Sequence, residues 1–108
     1  MPEQITSQFP FRELLEELSE CPRKAYLFTG SESLDSLVGF INGLGFASNN
    51  GVTDAILERA RDTTPRHYHN APWWDLCRII YDGEVKSDSN FGQPELLHVI
   101  GRLLKRSP

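Results

Sequence analysis

Between residues 34 and 44 the apolar side chains recur as Leu34, Leu37, Val38, Ile41 and Leu44. Steps of three and four place them on one stripe of an α-helix, and such a stripe must be buried against something. The flanks agree. Ser31 or Ser33 is suited to cap the start, and Glu32 and Asp35 favour the positive end of the helix dipole. Gly45 suits a left-handed stop. A helix over 32–44 is therefore predicted. Gly39 and Gly43 inside it cost roughly 1 kcal/mol each relative to Ala, and close helix packing would be a reason to keep them.

The same period returns along the chain. Phe11, Leu14, Leu15 and Leu18 predict a helix over 10–20, with Pro10 in its first turn and Pro22 beyond its end. Ile56, Leu57 and Ala60 predict one over 54–62, capped by Thr53, with Val52 and Leu57 spaced for a hydrophobic staple. Trp73, Leu76, Cys77 and Ile80 predict one over 72–82 that ends at Gly83. A hairpin turning at Asp82-Gly83 is the rival there, and the helical stripe outweighs it. Leu96, Val99, Ile100, Leu103 and Leu104 predict a helix over 93–105, with Lys105 and Arg106 at its negative end. Residues 84–92 are polar and read as a mobile loop. "KAYLFT" at 24–29 has a strand's composition, but one short strand has no obvious partner for its backbone groups, a segment near Val85 being the alternative to a connector. It is expected as an extended connector pinned by Tyr26 and Phe28. The fold class is thus mainly α: one small domain, 1–108, of about five helices with one short extended segment at 24–29.

A chain of 108 residues, 39% hydrophobic, suits one domain with a modest core. No apolar run approaches the ~18 residues of a membrane span, and the first residues, "MPEQITSQFPF", lack the pattern of a secretory signal. A cytoplasmic protein with no membrane partner is expected, with Cys21 and Cys77 reduced. The net charge of −4 argues against nucleic acid, which needs a basic face. It is compatible with a basic protein partner.

No motif carries specific chemistry. His67 and His69, with Asp75, Cys77 and the distant His98, are zinc ligand types. They lack the i, i+4 spacing of a helical zinc site and any Cys-x-x-Cys companion. Cys77 beside a His would suit a nucleophile pair, but it lies on an apolar stripe, where free Cys packs as a small hydrophobe. "TGSES" has a glycine before a helix but neither the Lys nor the spacing of a phosphate-binding loop, and its acids would repel an anion. No metal and no cofactor are expected. Trp73 and Trp74 point about 100° apart on a helix, so Trp74 belongs nearer the boundary, with Arg78 and Tyr81. Partly exposed aromatics often anchor partners. Asp75, Asp82, Glu84 and Asp88 form a loose acidic set around the same helix. Tyr68, Trp74, Asp75, Asp82, Glu84 and Asp88 are the candidate partner-binding residues.

One stretch carries a family resemblance. Pro22, Tyr26, Leu27, Gly30, Ser33, Leu34, Leu37, Phe40, Ile41, Gly43, Phe46 and Ala47 follow a pattern similar to "RP-x-MYLG…SL-x-x-L-x-x-FI-x-GY-x-FA". "WWDLCRIIYDGEVKSDSN" and "PELLHVIGRLL" continue it in the same order. The chain departs from it in a connector two residues longer and in Leu44, where the pattern has Tyr. It resembles small bacterial immunity-type proteins encoded beside secreted toxins. The resemblance implies a non-enzymatic inhibitor of a cognate toxin, with a nuclease domain as one candidate, in contact-dependent growth inhibition or a related system. The acids would meet a basic cleft around an aromatic anchor. The alternatives are a small enzyme or metal-binding protein using His67, His69, Asp75 or Cys77, and a regulatory homo-oligomer paired through helix 32–44 or segment 24–29.

Overall fold

The structure, a computed structural model, describes residues 10–85 and 91–105. These residues form six α-helices: α1 (Arg12–Glu20), α2 (Ala25–Thr29), α3 (Leu34–Ala47), α4 (Gly51–Asp62), α5 (Trp73–Val85) and α6 (Gln93–Lys105). Short 3₁₀ turns stand at Pro22–Lys24 and Arg66–Tyr68, and no strand occurs among the described residues. The mainly α reading is correct. α6 has the predicted bounds.

α6 is the central element. It packs on α1 and α5, with further contacts to α4 and α3, while α3 and α4 pack on each other and α4 on α5. Its Leu96, Leu97, Val99, Ile100, Leu103 and Leu104 are buried, and they meet Leu15 and Leu18 of α1, Leu37 and Ile41 of α3, Val52 and Ile56 of α4, and Leu76 and Cys77 of α5 in one core. Two polar contacts fix the ends of α6. The buried Gln93 donates through Nε2 to the carbonyls of Ser31 (2.9 Å) and Ser33 (2.7 Å), holding the hinge that starts α3. Arg12 pairs with Glu16 (3.0 Å) and donates to the Leu104 carbonyl, one of the acceptors that a helix end leaves open.

Segment 24–29 corrects the sequence reading. It is helical, as the Pro22–Lys24 turn followed by α2, and not extended. The backbone explains this: Lys24 N bonds to Cys21 O (2.9 Å) and Gly30 N to Tyr26 O (2.8 Å), so the groups an unpaired strand would leave open close locally. Gly30, at φ 69°, ends the turn.

Between α3 and α4 the small residues take roles other than those their types suggest. Ser33 does cap α3, its Oγ accepting from Ser36 N (3.2 Å). But Gly45 is not the stop. It lies inside α3, and a Cβ built on it would sit 2.7 Å from Thr53 Cγ2. Thr53 accordingly packs on α3 rather than capping α4. The left-handed residues are Asn49 (φ 59°) and Asn50 (φ 70°), a conformation Asn tolerates better than most. Ser48 joins the two helices: its Oγ donates to Leu44 O (2.8 Å) and accepts from Val52 N (3.1 Å). α4 therefore begins at Gly51, three residues before the predicted start. Phe11, expected to face inward, is the left-handed residue preceding α1 and is exposed.

α5 runs through Gly83 to Val85, which excludes both the stop at Gly83 and the hairpin. Glu84 and Val85 thus belong to the helix, and most of the expected polar loop 84–92 lies outside the described residues.

Candidate functional site

Of the residues singled out for chemistry, Cys77 and His69 are engaged within the fold, while His67 and His98 are exposed. Cys77 is fully buried in the core, and burial pushes its thiol up to about 12, so at neutral pH it stays protonated. His69 Nε2 lies 3.0 Å from the Thr64 carbonyl, and the His67 ring stacks on Tyr68 with centroids 4.2 Å apart. Among the described residues no group of three His, Cys, Asp or Glu side chains is placed to hold a metal ion. The Ser31–Ser33 hinge is occupied by Gln93.

Among the described residues, the candidate acids of α5 do not share one surface. Continuing α5 past Gly83 separates the acids. Asp75 and Asp82, seven residues apart, stay on one side, whereas Glu84 lies nine residues from Asp75 and about 180° around the helix. Asp75 pairs with Arg78 (3.3 Å), and Glu84 turns to α6 and pairs with Arg102 (2.7 Å). Asp82 is half-buried, and Asp88 lies outside the described residues. Trp73 is buried and donates to Asn42 Oδ1 (3.0 Å), while Trp74 is half-buried, edge-on to it at 5.5 Å. Tyr68 and Glu84 do come together. They line a groove of about 460 Å³ between the Arg66–Tyr68 turn, α5 and α6, floored by Ile79, Ile80, Val99 and Leu103.

The most exposed apolar side chains lie elsewhere. Leu27 is 80% and Phe46 88% exposed, and Tyr26 and Phe28 are about half exposed. α2 packs on α3, where the Phe28 and Phe40 rings stand 5.4 Å apart. On α3 the arc from Phe40 through Gly43 and Gly39 to Phe46 spans about 120°. That arc is open, because a Cβ built on Gly39 or Gly43 meets nothing within 4 Å. These glycines therefore do not serve internal packing, contrary to the expectation from sequence. Tyr26 also borders a cleft of about 540 Å³ with Pro22, Arg23, Glu32, Gln93 and Pro94.

Sequence reading missed this face because it took segment 24–29 as a pinned connector and followed only the inward stripe of α3. One signal was present. Ile41 and Phe46 are five residues apart, about 140° around a helix, so a buried Ile41 turns Phe46 away from the core.

No helix among the described residues is long and apolar enough to cross a membrane. Comparison with protein-family models, curated proteins and solved structures finds no match to this chain.

Proposed function

We propose that this chain is a non-enzymatic binding protein that neutralises a cognate protein toxin, of the contact-dependent growth inhibition type or a related delivery system. The observation that carries the reading is the exposure of Leu27 and Phe46, the two large apolar side chains most open to water among the described residues, with Phe28 half exposed beside Leu27. Apolar surface left in water gains free energy on association, at roughly 25 cal/mol per Å² before the costs of binding. The burial of Cys77 and the contact of His69 with the Thr64 carbonyl support binding over catalysis, and the family resemblance supplies the toxin as partner. Inhibition would then work by occlusion, with the acidic inhibitor covering a basic active-site cleft.

The test starts from the neighbouring gene. If it encodes a large secreted protein, that protein's C-terminal domain is expressed alone and together with this chain. Growth arrest by the domain, relieved by co-expression, with a stoichiometric complex of the purified proteins, is the expected result. A domain that neither binds this chain nor loses toxicity in its presence would overturn the reading, as would a neighbourhood of unrelated metabolic genes.

A further inference from the structure

We infer that the partner docks on the outer face of α2 and α3, and that its contact segment is basic with an apolar anchor. This rests on the toxin-neutralising reading and names the surface it leaves open. Leu27, Phe28 and Phe46 supply the apolar area, and the uncovered arc at Gly39 and Gly43 lets a partner backbone come close to α3.

Charge decides between the two occupants such a face would suit. Over α2, the hinge and α3, from Ala25 to Ala47, the chain carries Glu32 and Asp35 and neither Lys nor Arg. Glu32 and Asp35 flank the start of α3, beside α2, and both are exposed. Two cations precede this stretch: Arg23, which borders the cleft beside Tyr26 and Glu32, and Lys24, which is paired with Glu17, a hydrogen bond that raises its pKa. A second copy of this chain would bring the same carboxylates against themselves, which disfavours association. A basic partner would meet them with opposite charge and would be steered onto the face by it. The α5 face offers less, because Asp75 and Glu84 already have cationic neighbours.

The experiment measures binding of the neighbouring gene's toxin domain by surface plasmon resonance at two salt concentrations. It uses wild type, Leu27→Ser/Phe46→Ser, Glu32→Lys/Asp35→Lys and Tyr68→Ala/Trp74→Ala. Thermal denaturation checks the fold of each variant, and sedimentation gives the oligomeric state of the wild type. A large apolar side chain buried at an interface contributes roughly 10–100-fold in Kd. The Leu27/Phe46 variant should therefore bind at least about tenfold more weakly, mainly through faster dissociation, with its melting temperature preserved. The Glu32/Asp35 variant should associate more slowly and lose much of its salt dependence. Full affinity in the Leu27/Phe46 variant, with loss confined to Tyr68/Trp74, would move the site to the α5 face and overturn the inference while sparing the proposed function. A wild-type dimer dissolved by the Leu27/Phe46 substitutions would overturn it in favour of self-association. A wild type that neither binds nor protects would remove the function itself.

Discussion

Ser19 on α1 occupies the space that a side chain on Gly101 of α6 would need. A Cβ built on Gly101 would lie 2.8 Å from both Cβ and Oγ of Ser19, and Ser19 Oγ is itself held by donating to Glu16 O (2.8 Å). Contact at Cβ leaves little room to rotate away. Gly101→Ala gains roughly 1 kcal/mol of helix propensity and incurs an overpacking cost of about 1–3 kcal/mol. A net loss of about 1 kcal/mol is expected, and adding Ser19→Gly should recover most of it. Gly83→Ala is the contrast, since nothing lies within 4 Å of its Cβ position. It should stabilise by roughly 0.4–1 kcal/mol. Urea denaturation of wild type and the three variants measures all of this, and equal effects at Gly101 and Gly83 would contradict the close approach of α1 and α6.

Leu37 and Ile41, both at 0% exposure, are the centre of the α3 stripe. Either changed to Ala should lose about 2–5 kcal/mol, a large part of the ~5–15 kcal/mol that holds such a domain. A loss under about 0.5 kcal/mol, the usual range for surface changes, would mean that α3 is rotated from the orientation described.

The Trp73 indole makes a single polar contact across the α3–α5 junction, to Asn42 Oδ1 at 3.0 Å. Asn42→Leu removes the acceptor and leaves a largely buried N–H to be satisfied, at a cost of about 1–3 kcal/mol. In the Trp73→Phe background the same change at Asn42 should cost distinctly less. A double-mutant cycle with coupling near zero would show that the bond contributes nothing.

Cys77 ties stability to alkaline pH. Its pKa is raised from 9.0 to about 12 in the folded protein. Between those values the unfolded chain has released the proton and the folded one retains it, so stability falls as pH rises. The contribution is fully present below pH 9, and its loss approaches about 1.4 kcal/mol per pH unit between the two values. Urea midpoints from pH 8 to pH 11 should fall more steeply for wild type than for Cys77→Ala. At pH 8 a thiol reagent should modify the exposed Cys21 and spare Cys77 until the protein unfolds. Parallel pH profiles for the two proteins would mean that Cys77 is not shielded.

Much of the fold was legible because a helical stripe is a local signal. Leu96 to Leu104 repeat with one period, and α6 has the predicted ends. The stripe of Trp73, Leu76, Cys77 and Ile80 likewise outweighed the Asp82-Gly83 turn in α5. Three of the misreadings share one physical origin. Gly45, Thr53 and Gly83 were assigned from intrinsic preference, whereas their roles follow from what stands opposite. Gly45 admits Thr53, and α5 continues through Gly83 because nothing in the chain requires it to stop there. A left-handed turn is cheap for Asn as well as Gly, so residue type alone does not choose between Gly45 and Asn49-Asn50.

The sequence by itself determined that this protein is a mainly helical domain with a Leu- and Ile-rich core, that Cys77 packs inside it, and that Trp73 turns inward with Trp74 nearer the boundary. Those are consequences of spacing along one helix. Only the tertiary structure decided that segment 24–29 winds into a turn that leaves Leu27 and Phe28 in water. Only it separated Glu84 from Asp75 and paired it with Arg102, and left Gly39 and Gly43 uncovered while Gly45 and Gly101 became points of close approach. Each of these depends on which surface another helix covers, and surface coverage is a property of pairs of elements, which spacing within any one of them does not encode.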